Sequence, residues 1–253
     1  MTCKNTETEV GKTLELSIVI PAHNEEQRLE KSLKILKEYL NAASWSHEII
    51  VVDDGSTDLS PKIVEHLKAQ WNLLRLLRYD ICRGKGFAQR YGMDAAQGKF
   101  VICIDADLPV PLIHLEEMMT GLKEGYDAIL ASRHTEGSKI NRPQSFIRTL
   151  LGGTYRITVR TVFLKNIRDP NCGFKGFRSS QIKKILPYLT IDRYVCDVEL
   201  IYLLQCHQMT IKEHGVQWNH RPHSKVLPFR DSLFSSLELL KLSFRILRGD
   251  YKV

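Results

Sequence analysis

The sequence predicts an α/β fold with a mainly parallel central sheet and helices on both faces. Three features carry that reading. Short apolar runs alternate with stretches whose large aliphatic residues recur at helical spacing. The runs Leu16–Ile20, Glu48–Val52 and Phe100–Ile104 are rich in Val and Ile, as strands covered on both faces are. Polar and acidic residues gather where these runs end, which in open α/β sheets is the edge that holds the ligand.

Taken in order, strand Leu16–Ile20 is stopped by Pro21, and Asn24-Glu25-Glu26 opens a helix bearing Leu29, Leu33, Leu36 and Leu40. The second strand, Glu48–Val52, runs into Asp53-Asp54-Gly55, after which Ser56, Thr57 or Asp58 can cap a helix. Leu73–Leu77 is a third strand. Arg83-Gly84-Lys85-Gly86 then leads into a helix that reaches about Gln97. The central strand Phe100–Ile104 ends in Asp105-Ala106-Asp107, and Pro109 and Pro111 prevent the ladder from continuing. A helix from about Pro111 to Lys123 and a strand Tyr126–Ala131, ending in Ser132-Arg133, complete a nucleotide-binding half-fold. It has neither GxGxxG after its first strand nor GxxxxGK[ST] anywhere.

The second half is less regular. Pro143–Leu164 is long enough to cross a bilayer, which takes about 20 helical residues. Arg148, Arg156 and Arg160 share one broad helical face and would be costly at the bilayer centre. The segment therefore reads as an interfacial helix lying on a membrane, or as a surface helix packed on the sheet. Asp169–Lys175 is loop-like, and Arg193–Gln208 is a helix with Asp197 and Glu199 near its start, where carboxylates favour the dipole. Ile211–Trp218 is a late strand, and Phe229–Arg248 is an amphipathic helix ending in a basic cluster. The expected organisation is a disordered N-terminus over 1–14, one domain over 15–228, and a membrane-facing helix over 229–253.

With 253 residues, 43% of them hydrophobic, the chain can bury one sizeable core. Its net charge of +7 implies polyanionic partners. The excess lies after Ser132 and forms no block of nucleic-acid type, so an anionic membrane surface or a phosphorylated substrate is expected and nucleic acid is not. Six cysteines without a CxxC pair read as mostly buried thiols of a reducing compartment. No signal peptide or spanning segment is visible.

Asp105 and Asp107 carry the chemistry. Alternate residues of an extended segment share a face, so the two carboxylates can present hard oxygen ligands together, which suits Mg²⁺ or Mn²⁺. Asp53, at the end of a neighbouring strand, would line the same crevice. Lys85 or Lys225 could add a charge-assisted contact to a diphosphate.

In this order and spacing, IVIPAHNEE, IIVVDDGSTD, RGKG, IDADLP, ASR and DPNCGFKGF resemble the inverting family-two glycosyltransferases of the GT-A fold. The narrower likeness is to the dolichyl-phosphate glucosyltransferases, with the dolichyl-phosphate mannosyltransferases next, and it covers about Leu16 to Phe229. The glucosyl enzymes usually begin with a membrane anchor, absent here. The mannosyl enzymes often carry Gln where this chain has Pro109. By resemblance, Pro21, Ala22, Asn24, Glu25 and Asp53 contact the donor nucleoside. Asp105 and Asp107, with Ala106 between them, reach its diphosphate through the metal. Ser224 and Lys225 belong to a late loop that closes over the donor, and Arg133 and Arg148 grip a polyprenyl phosphate, with Lys175 able to add to that cradle.

The implied reaction moves glucose from UDP-glucose to a polyprenyl phosphate on the cytoplasmic face of a membrane, with or without a membrane-anchored partner protein. GDP-mannose as donor or undecaprenyl phosphate as acceptor are the alternatives within the reaction class. A nucleotidyltransferase, or a silent membrane-binding module, would be a different protein altogether. A phosphate monoester has a second pKa of about 6 and needs no base at neutral pH. Asp197 would thus serve either as a base or only as an orienting group. Hydrolysis would call for two carboxylates about 5–9.5 Å apart astride the bond, which a metal-type DxD does not provide.

Overall fold

The computed structural model describes residues 14–142, 146–219 and 228–251, without the side chains of residues 141–151 and 228–233. In the first half, β1 (Leu16–Ala22), β2 (His47–Asp54), β3 (Leu74–Tyr79), β4 (Phe100–Cys103) and β5 (Ala128–Ser132) alternate with four helices. These are α1 (Leu29–Ala42), α2 (Ser60–Lys68), α3 (Lys85–Ala95) and α4 (His114–Glu124). The second half contributes β6 (Lys139–Arg142), α5 (Phe146–Val162), β7 (Lys175–Arg178), α6 (Ser179–Ile185), α7 (Cys196–Cys206), β8 (Ile211–Gly215), β9 (Gln217–Asn219) and α8 (Pro228–Arg248).

The main sheet runs β3-β2-β1-β4-β7-β5-β8, with β6 and β9 paired in parallel beside it. Only β7 is antiparallel to its neighbours, so the mainly parallel GT-A architecture holds. Apolar residues of the inner strands divide between two cores. Ile18, Ile20 and Ile102 face α1, α2 and α4, whereas Val19, Val101 and Cys103 face α3, α6 and α7. That is why these strands show no polar alternation. Leu29, Leu33, Leu36 and Leu40 form the buried stripe of α1, as their spacing predicts.

Three expectations are corrected. Pro21 does not end β1; the strand continues to Ala22. The rungs shared with β4 stop at Val19, so the missing N–H of Pro21 falls beyond that ladder. Asn24 does not open α1. It sits at φ +54° in the left-handed region, and the helix begins at Leu29. The late strand Ile211–Trp218 is two strands, split at Val216, whose backbone N–H donates to Ser132 while its carbonyl accepts from Lys139 of β6.

The strand order reverses around β1 and β4, and the crevice beyond their C-terminal ends receives the β1–α1, β2–α2 and β3–α3 loops together with Asp105–Asp107.

Candidate active site

Asp105 and Asp107 sit in the turn after β4, where Leu108 at φ +45° folds the chain back. Lys85, the first residue of α3, donates to Asp105 Oδ1 at 2.6 Å. Burial pushes the Asp105 carboxyl up, but Lys85, then Lys175 and Arg133, outweigh it and hold the group below its usual range. Asp107 moves the other way. Burial, and then the neighbouring Asp105 charge, raise it, and Arg28 Nη1 at 3.4 Å offsets only part. The pair is an all-oxygen donor set with unbalanced negative charge at Asp107, which suits Mg²⁺ or Mn²⁺. Arg28 escaped the sequence reading because its partner Asp107 is remote in sequence; it also forms a two-pronged pair with Glu25.

The backbone leaves little slack here. A Cβ on Gly173 would lie 2.2 Å from Asp105 Oδ2, so the DPNCGF loop supports the carboxylate by close approach. Gly84 has φ +117°, and added Cβ atoms at Gly84 and Gly86 would lie 2.5 Å and 2.6 Å from the carbonyls of Asp192 and Ile191. Asp54 accepts from the backbone N–H groups of Arg83, at 2.7 Å, and Gly84, at 2.9 Å. The RGKG turn is thereby fixed so that Lys85 reaches Asp105.

At the nucleoside end, Asp53 is buried and accepts from the Ser56 N–H at 3.4 Å, with Arg78 at 3.3 Å from the same oxygen. Its Oδ1 has no hydrogen-bond partner among the described residues. Asn24 Oδ1 accepts from the N–H groups of Thr57, at 2.8 Å, and Asp58, at 3.3 Å, and Glu25 N–H donates to Ser60 Oγ at 2.7 Å. These two residues thus weld the β1–α1 loop to the β2–α2 loop. Pro21 and Ala22 form the end of β1 beside Asp53.

The acceptor side departs from expectation at Lys175. It is 1% exposed, and its ammonium donates to the Cys172 carbonyl and to Asp197 Oδ1, the latter at 2.9 Å. Its charge is spent inside the protein, opposite a carboxylate at the N-terminus of α7, instead of in an open phosphate cradle. Arg133 donates through Nε (2.7 Å) and Nη2 (2.8 Å) to Asp169 and lies 5.5 Å from the Trp218 ring. Arg148 is on α5 with its side chain outside the described residues, and Ser224 and Lys225 lie outside them altogether. Cys103, Cys172 and Cys196 surround the Lys175–Asp197 pair; burial pushes the first two thiols up to about 12 and about 11 and the third well above its ordinary value, so they are neutral.

Residues 17–186 match the family described as Glycosyl transferase family 2. A dolichyl-phosphate beta-glucosyltransferase of Dictyostelium discoideum is 34% identical over 250 residues, covering 94% of this chain and 76% of that protein. The human dolichyl-phosphate beta-glucosyltransferase is 31% identical over 255 residues, covering 95% and 78%. Among solved structures, glucosyl-3-phosphoglycerate synthase from Mycobacterium tuberculosis, in complex with Mn²⁺, UDP and glucosyl-3-phosphoglycerate, superposes with a TM-score of 0.61 at 19% identity. That match covers 87% of this chain and 75% of the other. With the family match spanning β1 to the end of α6, and such relatives aligned over nearly its whole length, the chain belongs to glycosyl transferase family 2.

Proposed function

We propose that this enzyme transfers glucose from UDP-glucose to dolichyl phosphate with inversion, releasing UDP. The observation that carries the acceptor class is the Lys175–Asp197 pair. Asp197, the carboxylate that could serve as a base or only as an orienting group, is 5% exposed and tied to an ammonium. A carboxylate so held faces an ammonium inside the protein instead of an incoming hydroxyl, which favours a nucleophile that arrives already ionised. A phosphate monoester does; a sugar or alcohol hydroxyl does not. The relatives named for transfer to dolichyl phosphate support the same acceptor.

The donor would lie along the strand ends with its base against the unpartnered Asp53 Oδ1, a ready acceptor for a ring N–H. Its diphosphate would reach Asp105, Asp107 and Lys85. Asp105 and Asp107 would hold a divalent cation, which would supply positive charge for the departing UDP. Lys85, already oriented by the Asp54-anchored turn, adds a second cation on the leaving group, and Arg28 keeps Asp107 in place. Lys175 positions Asp197, and Asp197 orients a sugar hydroxyl. Asp169 fixes Arg133 as a planar fork that would face the acceptor phosphate, and Arg148 on α5 would be its second arginine. Ser224 and Lys225, outside the described residues, would contact the donor as the family resemblance implies.

A lipid acceptor requires a membrane surface. No helix among the described residues is long and apolar enough to cross one. α8 exposes Phe234, Leu237, Leu240, Phe244 and Leu247, and α5, in contact with it, exposes Ile157 and Val162. Lys241 and Arg248 add positive charge on α8 and Arg160 on α5. The enzyme would sit peripherally on the cytoplasmic face of an anionic membrane, where its free thiols stay reduced. The test is label transfer from a panel of radiolabelled nucleotide-sugars, UDP-glucose and GDP-mannose included, to dolichyl and undecaprenyl phosphates. UDP-glucose with dolichyl phosphate should put most label in the organic phase. Preference for GDP-mannose, or label on a water-soluble acceptor alone, would overturn the assignment.

A further inference from the structure

Away from the crevice, α4 and β8 bring together a second cluster of ligating atoms. His114 Nδ1 lies 2.7 Å from Glu117 Oε2, His214 Nε2 lies 2.6 Å from that same oxygen, and the two ring nitrogens are 3.2 Å apart. We propose that His114, Glu117 and His214 form a binding site for a divalent cation of the zinc class, separate from Asp105 and Asp107.

The geometry is close to what such a cation needs. Zinc bonds of about 2.0–2.1 Å at tetrahedral angles place ligand atoms roughly 3.3 Å apart. The two imidazoles already have that spacing. Glu117 must retreat by some tenths of an ångström, and its side chain is half exposed and free to do so. His114 is buried, so one ligand is held rigidly while the carboxylate adapts. A fourth position would face solvent.

The hydrogen bonding shows which nitrogens a cation would take. The Gln217 N–H donates to His114 Nε2 at 3.2 Å, so the neutral ring carries its proton on Nδ1. That N–H and the His214 Nε2 proton both aim at one carboxylate oxygen, leaving two donors side by side. A cation would replace these two hydrogen bonds with three lone pairs on one centre. Each ring proton then moves to the other nitrogen of its own ring, so no net proton is gained or lost. Imidazole donors select zinc-type ions, whereas the all-oxygen pair at Asp105 and Asp107 suits Mg²⁺ or Mn²⁺, so the two sites sort their metals.

Filling the site has a structural consequence. With metal on His114 Nδ1, the ring proton sits on Nε2 and faces the Gln217 N–H, and that hydrogen bond cannot persist. Gln217 begins β9. Trp218 beside it lies against Arg133, and the Asn219 N–H donates at 2.9 Å to the carbonyl of Pro109, in the turn that carries Asp107. Metal at His114 is therefore linked through β9 to the back of the active site.

The test is calorimetric titration of the untagged full chain with zinc chloride alone, without nucleotide. Accessible thiols are first capped with iodoacetamide, because Cys82 is exposed and would also take zinc. One equivalent should bind, weakened at least about tenfold in Glu117→Gln and in His214→Ala and unchanged in Asp107→Asn. Both ligand variants should melt close to the wild type, since Glu117 and His214 are at least partly exposed. X-ray absorption of the zinc complex should show two imidazole ligands. No binding, binding indifferent to both ligand substitutions, or loss in Asp107→Asn would overturn the site. Zinc should also speed hydrogen exchange at the Gln217 amide, and an unchanged rate would refute the link to β9.

Discussion

Lys175 Nζ stands 2.9 Å from Asp197 Oδ1, with both residues almost fully buried between β7 and the start of α7. Removing one member of such a pair strands a charge in the interior and costs about 3–5 kcal/mol, whereas replacing both by apolar residues is often neutral. Lys175→Met should therefore destabilise by several kcal/mol in denaturant melts, and Lys175→Met with Asp197→Leu should recover most of that loss. Asp197→Asn keeps an acceptor oxygen for the ammonium. If Asp197 only orients, this variant should keep kcat within about tenfold and leave the low-pH limb of the pH–rate profile unchanged. A fall of a thousandfold or more with a displaced pH profile would make Asp197 the base.

Gly173 supports Asp105 by having no side chain. A Cβ there would fall 2.2–2.4 Å from the carboxylate atoms, so Gly173→Ala must displace the Asp105 carboxylate that Lys85 holds. Overpacking of this kind costs about 1–3 kcal/mol. The larger effect is expected on the site: calorimetric affinity for UDP with Mn²⁺ should drop at least about tenfold while the fold survives. Unchanged affinity would mean that the carboxylate position does not matter to donor binding.

The sheet and the crevice were legible because they depend on local pattern. Apolar runs mark strands buried on both faces, and Asp53, Asp105 and Asp107 sit at strand ends. The partnerships were not legible, because they are spatial. Nothing near Arg28 announces Asp107, and nothing in CGFK tells an open lysine from one buried against Asp197. β7, which begins at the last residue of the loop-like Asp169–Lys175 stretch, gave no strand signal, because KGFR is short, begins and ends with charge, and becomes a strand only by filling the gap between β4 and β5. The RGKG glycines gave a weak signal for the same reason. Their need is set by the carbonyls of Ile191 and Asp192, far along the chain.

Asp169 makes acid stability a readout of the Arg133 fork. Burial pushes its carboxyl up, but the Arg133 guanidinium more than compensates and holds it at about 2, against an ordinary value of 3.8. A carboxyl depressed on folding stabilises the protein fully above its ordinary value and loses that contribution as pH falls toward about 2. The contribution is about 2 kcal/mol at neutral pH. Asp169→Asn should be less stable than wild type by at least that amount near neutrality, and the gap should close between about pH 4 and pH 2. A gap independent of pH would show that packing, not charge, carries the pair.

Metal dependence follows from the all-oxygen donor set. EDTA should silence transfer, Mn²⁺ or Mg²⁺ should restore it, and Asp107→Asn should abolish it. Lys85 competes with the metal for Asp105, so Lys85→Met should bind Mn²⁺ more tightly by paramagnetic resonance while turning over more slowly. Full activity in EDTA would remove the DxD pair from the mechanism.

α8 is apolar on two opposite sides. At about 100° per residue, Leu239 and Leu242 point one way, into the core, while Leu237, Leu240, Phe244 and Leu247 form a stripe roughly 80° wide on the far side. A helix facing water there would gain nothing from four large exposed apolar side chains; a second apolar medium explains them. Lys241 and Arg248 flank the stripe, and each basic residue near an anionic surface contributes about 1 kcal/mol. Binding to phosphatidylserine-containing liposomes should thus be seen by co-sedimentation, weaken with salt because screening acts over about 8–10 Å, and be reduced on neutral vesicles. Leu240→Glu with Phe244→Glu should abolish it without lowering the melting temperature, since neither side chain is in the core. Transfer to a short, water-soluble polyprenyl phosphate should survive in that variant, and transfer to acceptor embedded in vesicles should fall. A protein that stays in the supernatant with anionic vesicles at low salt would assign the stripe to a partner protein, the membrane-anchored subunit that would then have to deliver the acceptor.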